Sequence, residues 1–142
     1  MSIVVLVGIS FILTAFIPSL NKLLKPTHKY AYSLLPLVLF ISFLTFLPEV
    51  ENLKVISETL IWMPAFGIDL SFRLDGLSLI LSLLITGIGT FIIIYGASYL
   101  SHSKDINKFY ILILLFMSAM LGLVLSDNLI IMFIFWELTT IT

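Results

Sequence analysis

The chain has 142 residues, 61% of them hydrophobic and 11% charged, with a mean hydropathy of +1.22, where a water-soluble domain runs at about 45–50% apolar and about 25% charged. Seven Lys and Arg against eight Asp and Glu give a net charge of −1, so no basic field exists to attract a nucleic-acid backbone. Zero cysteines exclude disulfides, thiolate nucleophiles and Cys-ligated metals, and the class that remains is an integral membrane protein.

Charges sit in short islands between long apolar runs. The first run, residues 3–20, contains only Ser10, Thr14 and Ser19 as polar residues. Lys22, Lys25 and Lys29 follow it rather than precede it, the reverse of a cleaved signal peptide, so a retained helix is expected. The second run, residues 31–47, has Pro36 in its interior, where a kink is expected.

Residues 48–75 form the one long polar region, carrying Glu49, Glu51, Glu58, Asp69 and Asp75. Ile68, Leu70, Phe72 and Leu74 alternate with Asp69, Ser71, Arg73 and Asp75, which predicts a half-buried strand. Glu58–Trp62 is the candidate hairpin partner, with Pro64 and Gly67 in the connection. Its charges read most simply as a solvated face. Asp75 is placed to cap the next helix by accepting from the backbone near Ser78.

The third run, residues 77–100, is the longest and aligns Ser82, Thr86, Gly89 and Gly96 near one helical face. Small residues let helix backbones approach in lipid, so a contact stripe is expected; helix distortion beside an ion path is the alternative. Gly87 and Gly89 lie inside this helix and follow no strand, so they are no dinucleotide fingerprint. The fourth run, residues 109–125, has Ser118 and Gly122 at i, i+4, and the fifth, residues 129–142, is only 14 residues long. A crossing takes about 20 apolar residues, with ~17 as the practical minimum. Lipid demands that backbone groups be satisfied within each segment, and the runs lack barrel alternation. The expected fold is therefore all-α integral membrane: four complete transmembrane helices, a truncated fifth, and a small extracytoplasmic β-hairpin. No Gly, Pro or Lys closes the last helix, so a piece of a longer protein is expected.

Five basic residues fall in the 21–29 and 101–108 loops, against Lys54 and Arg73 on the opposite side. By the positive-inside rule the first pair of loops faces the cytoplasm and the amino terminus and residues 48–75 face outside. Tyr30, Tyr32, Tyr95, Tyr99 and Tyr110 fall near the cytoplasmic helix ends, as interfacial anchors do.

One residue is out of place. Glu137 follows Asn128 by nine positions, about 14 Å along a helix and so near the middle of a ~30 Å hydrocarbon core. An acid there costs about 2.5–3.5 kcal/mol on insertion scales, less if it faces a wet cavity, pairs with a cation or takes up a proton. Burial raises a carboxyl pKa and a nearby ammonium lowers it, which is what a proton relay requires. The alternative is a neutral acid bonded to a neighbouring helix. Thr139 and Thr140 follow, able either to bond the helix backbone or to hold water beside the acid. No Lys, Arg or His of this chain shares the depth of Glu137, so its partner must come from elsewhere.

With these motifs placed, a resemblance emerges. The run WMPAFGIDLSFRLDGLSL from Trp62 to Leu79 resembles the region before the third helix of antiporter-like membrane subunits. Leu84–Thr90, Phe109-Tyr110, Leu115–Met117, Ala119–Gly122, Val124–Asn128 and Phe135–Thr139 continue it. The set resembles the amino-terminal end of the A subunit of Mrp-type multisubunit Na⁺/H⁺ antiporters, and the largest proton-pumping membrane subunit of respiratory NADH:quinone oxidoreductase is a close relative. The resemblance implies that Glu137, in the Trp-Glu-Leu-Thr motif, is central to proton translocation and pairs with a lysine on a later helix. It implies partner membrane subunits, H⁺ and Na⁺ as transported ions, a plasma-membrane location and no organic cofactor. Three functions stay open: a part of an antiporter, a part of a redox-driven proton pump, and a structural subunit that transports nothing. No nucleophile with a base, metal cluster or phosphate loop suggests an enzyme.

Overall fold

The structure is a computed structural model describing residues 2–23, 32–52, 54–64, 68–100 and 106–142, with the backbone alone for 17–23. The expected roles of Lys22, Lys25, Lys29, Tyr30, Gly67 and Lys104 fall on residues or side chains outside the described set. The elements in chain order are α1 (Ile3–Leu23), α2 (Leu34–Leu44), α3 (Leu47–Glu51), β1 (Ile56–Met63), β2 (Ile68–Leu74), α4 (Gly76–Tyr99), α5 (Ile106–Leu125) and α6 (Leu129–Ile141).

Among the described residues three helical segments are long and apolar enough to cross a membrane: Leu34–Glu51, Gly76–Tyr99 and Ile106–Leu125. They correspond to the second, third and fourth of the four complete crossings expected. Ile3–Phe16, the described apolar portion of α1, and Leu129–Ile141, which is α6, are shorter apolar helices, although the α1 backbone is helical over 21 residues.

The second segment differs from expectation in an instructive way. Pro36 does not kink it, because it is the third residue of α2. The first four amides of a helix have no intrahelical acceptor, so a proline there removes nothing. The break comes at Thr45–Phe46 and is caused by Pro48, which has no N–H to offer Leu44 four residues back and whose ring would meet that carbonyl. The Thr45 and Phe46 amides instead donate three residues back, to Ser42 (3.2 Å) and Phe43 (3.1 Å). After this tightened turn α3 resumes and carries the helix to Glu51, four residues beyond the expected end.

In the bundle α5 is central, packing against α1, α4 and α6, while α2 packs mainly on α4. The small residues of α4 face these contacts. Ser82, Thr86, Gly89 and Gly96 are all buried, and a Cβ on Gly96 would stand 2.6 Å from Cε1 of Phe109, on α5. Where lipid replaces water, helices associate by such shape matching because burial of apolar surface gives no driving force. Several buried hydroxyls bond their own helices: Thr86 donates to the Ser82 carbonyl (2.7 Å), Thr90 to Thr86 (2.8 Å) and Ser118 to Leu114 (2.9 Å), whereas the buried Ser82 hydroxyl has no hydrogen-bond partner among the described residues.

Tyrosines divide into two groups. Tyr95 and Tyr99 are exposed and stacked at 5.7 Å, in keeping with interfacial anchors. Tyr110 departs from that expectation: it is 1% exposed and stacked on Tyr32 at 4.7 Å, a packing residue between helices.

β1 and β2 form an antiparallel hairpin with Glu58 opposite Phe72 and Leu60 opposite Leu70. A bulge between Ile61 and Met63 pairs Met63 with Ile68. Phe72 and Leu74 are buried while Arg73 between them is exposed, so the expected alternation holds at this end of β2, whereas Ile68, Asp69, Leu70 and Ser71 are all half-buried. The hairpin covers the bundle end where α1, α4 and α6 start, with β2 against all three and α5.

Candidate functional site

Three helix starts and one turn converge on this hairpin, and each contact has a chemical cause. Asp75 is the N-cap of α4 in extended geometry: the Ser78 amide donates to its Oδ1 at 2.9 Å, and the Asp75 amide donates to Ser78 Oγ at 2.8 Å. This reciprocal pair satisfies two otherwise orphaned donors. The Ser78 amide bond is the largest influence on Asp75 and outweighs burial, holding its carboxyl below the usual range; the Ser78 hydroxyl and Arg73 act in the same direction.

Glu58 reaches across the hairpin to the start of α1. Its Oε2 accepts from the Ser2 hydroxyl and from the Val4 amide at 3.1 Å. Burial works to raise its pKa, but these bonds and that of the Ile3 amide outweigh it and lower the value. The expectation of a solvated face therefore fails for Glu58, which is tied to a helix start. The bond joins residues more than fifty positions apart, so no local motif announces it.

The turn between α5 and α6 is held by β2. Phe72 and Ser126 form an isolated antiparallel bridge, and the Asp127 amide donates to the Ser71 carbonyl at 2.9 Å. Arg73 lies 3.7 Å from Asp75 and 3.9 Å from Asp127, long and half-exposed pairs of small energetic weight. Asn128 then caps α6, its side chain accepting from the Ile130 amide at 2.9 Å.

From this anchored start α6 buries Ile131 and Phe135, one turn apart, and leaves Trp136 and Glu137 exposed. Glu137 stands about 14 Å along the helix from its cap, on an otherwise apolar surface. Among the described residues it makes no hydrogen bond or ion pair. Thr139 and Thr140 both donate to the Trp136 carbonyl, at 2.6 and 3.3 Å, so their hydroxyls are engaged with the helix backbone. No group of three or more His, Cys, Asp or Glu able to hold a metal occurs among the described residues.

Phe135 seats α6. Its ring lies 6.0 Å from Phe11 of α1 and 6.0 Å from Phe72 of β2. It also fills the space where a side chain on Gly122 of α5 would be. Beside it, an apolar cleft of about 450 Å³ opens between α1, the hairpin and α6, lined in part by Gly8, Trp62 and Leu138.

This apolar helical bundle capped by one hairpin is similar to known proteins of the class of antiporter-like membrane subunits. The family described as NADH-Ubiquinone oxidoreductase (complex I), chain 5 N-terminus, matches residues 62–110. The fold superposes on a chain of the Mrp complex from Dietzia sp. with a TM-score of 0.82 and 26% identity, covering 99% of this chain and 15% of that one. A membrane-bound sulfane sulfur reductase, an archaeal respiratory membrane complex, superposes with a TM-score of 0.80 at 18% identity, a likeness of fold covering 99% of this chain and 22% of that one.

Within that class, the chain is similar to A subunits of Na⁺/H⁺ antiporters. It is 47% identical over 133 residues to the A subunit of the Na⁺/H⁺ antiporter of Alkalihalophilus pseudofirmus, covering 92% of this chain and 16% of that protein. It is also 47% identical over 130 residues to the A1 subunit of the Staphylococcus haemolyticus antiporter, covering 91% and 16%. The chain thus spans about one sixth of the length of the curated relatives it matches.

Proposed function

We propose that the chain forms part of a multisubunit cation/proton antiporter that exchanges Na⁺ for H⁺ across the plasma membrane, with Glu137 in the proton path. The observation that carries this reading is the 47% identity to antiporter A subunits over nearly the whole chain. The geometry adds a carboxylate without a partner among the described residues, on an apolar helix and about 14 Å from the helix start. A carboxylate so placed is disfavoured as an isolated charge in lipid, and a partner cation or a proton relieves that cost. In this reading the amino terminus and the hairpin face outside, and the exposed face of α6 meets further membrane segments that supply the partner cation.

The test is flux in the complete assembly. Glu137→Gln keeps size and hydrogen-bonding capacity but cannot titrate. Na⁺-dependent proton exchange in membrane vesicles is expected to be lost with the complex still assembled. Exchange at the wild-type rate per complex refutes the role.

The match to the complex I family favours a second reading, a membrane component of a redox-driven proton pump. Purification of the intact complex separates the two: flavin and iron–sulfur partners identify the pump, and small membrane proteins alone identify the antiporter.

A further inference from the structure

We propose that Gly122 and Phe135 act together as a positioning pair for Glu137, setting the rotation of α6 about its own axis. This rests on the proposed role of Glu137 and adds the question of what aims it. α6 fully buries two side chains, Ile131 and Phe135, and rests the half-buried Leu138 against the same core. Ile131 is an aliphatic contact near the helix start. Phe135 is a planar knob in a socket with three walls, made by Phe11, Phe72 and the bare backbone of Gly122.

The Gly122 wall is the tight one. A Cβ built there would stand 2.6 Å from Phe135 Cζ, and closer still to Cε1 and Cδ1, where ordinary contact begins at 3.4 Å. The ring therefore occupies the volume that any other residue at 122 would fill. Glu137 follows Phe135 by two residues, about 200° around a helix of 3.6 residues per turn. The knob and the acid lie on opposite sides of α6, so turning one turns the other. At a radius of about 6 Å, a rotation of about 10° carries a side chain by about 1 Å. A shift of about 1 Å in a transferring group is enough to cost up to ~10²-fold in rate.

No electrostatic contact competes for control of that direction. Among the described residues the charged groups on elements packed in or beside the α6 socket are Glu58 on β1, Asp69 and Arg73 on β2, Lys108 on α5 and Asp127 in the turn before α6, and the described side chains of α1 carry none. None pairs with Glu137.

Three variants of the full complex test the pair: Gly122→Ala, Phe135→Leu, and both together. The readouts are complex abundance, the rate at which a hydrophobic carbodiimide labels Glu137, and the rate and pH midpoint of Na⁺-dependent proton exchange per complex. Gly122→Ala is expected to slow exchange by about tenfold to a hundredfold, to alter the labelling rate and to move the pH midpoint. Adding Phe135→Leu, which removes the ring atoms that collide, is expected to restore all three toward wild type. The proposal is overturned if Gly122→Ala lowers abundance while leaving labelling and pH midpoint unchanged, or if the double variant restores nothing. Should Gly122→Ala not assemble, Phe135→Leu alone decides, and an unchanged labelling rate overturns the proposal. Labelling reports where the carboxyl points even if Glu137→Gln transports normally, so the two failures are told apart.

Discussion

Replacing Glu58 with alanine removes the acceptor that the first turn of α1 uses. In the structure one carboxylate oxygen takes both the Ser2 hydroxyl and the Val4 amide. The Val4 amide is among the first four of its helix, which have no acceptor inside the helix, whereas the Leu6 amide already donates to the Ser2 carbonyl at 3.2 Å. The loss is equivalent to deleting an N-cap, about 0.5–2 kcal/mol. Glu58 is partly exposed, so solvent screening puts the expectation near the middle of that range, about 1 kcal/mol. That corresponds to roughly fivefold more opening of the first turn. Hydrogen exchange of the peptide containing Val4, in the intact complex, reads this directly.

Glu58→Gln keeps an acceptor and loses the charge at the helix start, so its expected effect is smaller, about 0.3–1 kcal/mol. The pH dependence has a definite sign. The folded-state pKa is lowered, so the stabilisation is complete above the ordinary Glu value of about 4.3 and is lost as pH falls through the lower folded value. Exchange at Val4 should therefore be flat from neutral pH down to the ordinary carboxylate range and rise below it. Glu51→Gln, on an exposed residue at the end of α3, is the control. Wild-type exchange at Val4 in Glu58→Ala would refute the reasoning.

Asp75→Ala is expected to lower the thermal stability of the complex through α4 by about 0.5–2 kcal/mol, with Asp75→Asn close to wild type because it still accepts from the Ser78 amide. The Asp75 pKa is also lowered, so its contribution should persist down to the ordinary Asp value of about 3.9 and fade below it, a profile that Asp75→Asn abolishes. Gly96→Ala sets a Cβ 2.6 Å from Phe109 Cε1 and should destabilise by about 1–3 kcal/mol. Phe109→Leu in the same chain should recover most of that, as measured by thermal unfolding in detergent.

Much of the fold is legible in the sequence because lipid imposes simple rules. Apolar length locates the helical runs, and alternation from Ile68 to Leu74 announces a strand because its two faces meet different surroundings. The small residues of α4 read as contacts because only shape matching is available between helices in hydrocarbon. The break at Thr45–Phe46 is not legible as such, and Pro36 draws the eye instead, since a proline's effect depends on its distance from a helix start that hydropathy alone does not locate. Tyr110 reads as an interfacial anchor because tyrosine suits both the membrane surface and the interior, and only packing tells them apart. For the candidate site, Glu137 stands out by its cost in lipid. The cap that Glu58 gives α1 and the socket of Phe135 join residues distant in sequence, and no periodicity records such a pairing.

The hydroxyls of Ser10, Thr14, Thr86, Thr90 and Ser118 all turn inward on the helix that bears them. Each thereby engages its donor locally and presents a methyl or a methylene to its neighbour. Midway through the bundle the seams at these positions are thus greasy even where the residues are nominally polar, and shape rather than directional bonding holds one rod against the next. Among the described residues, the directional bonds that join distant parts of the chain gather instead at the hairpin end, where Glu58 fastens the start of α1 and the Ser71 carbonyl fastens the turn before α6.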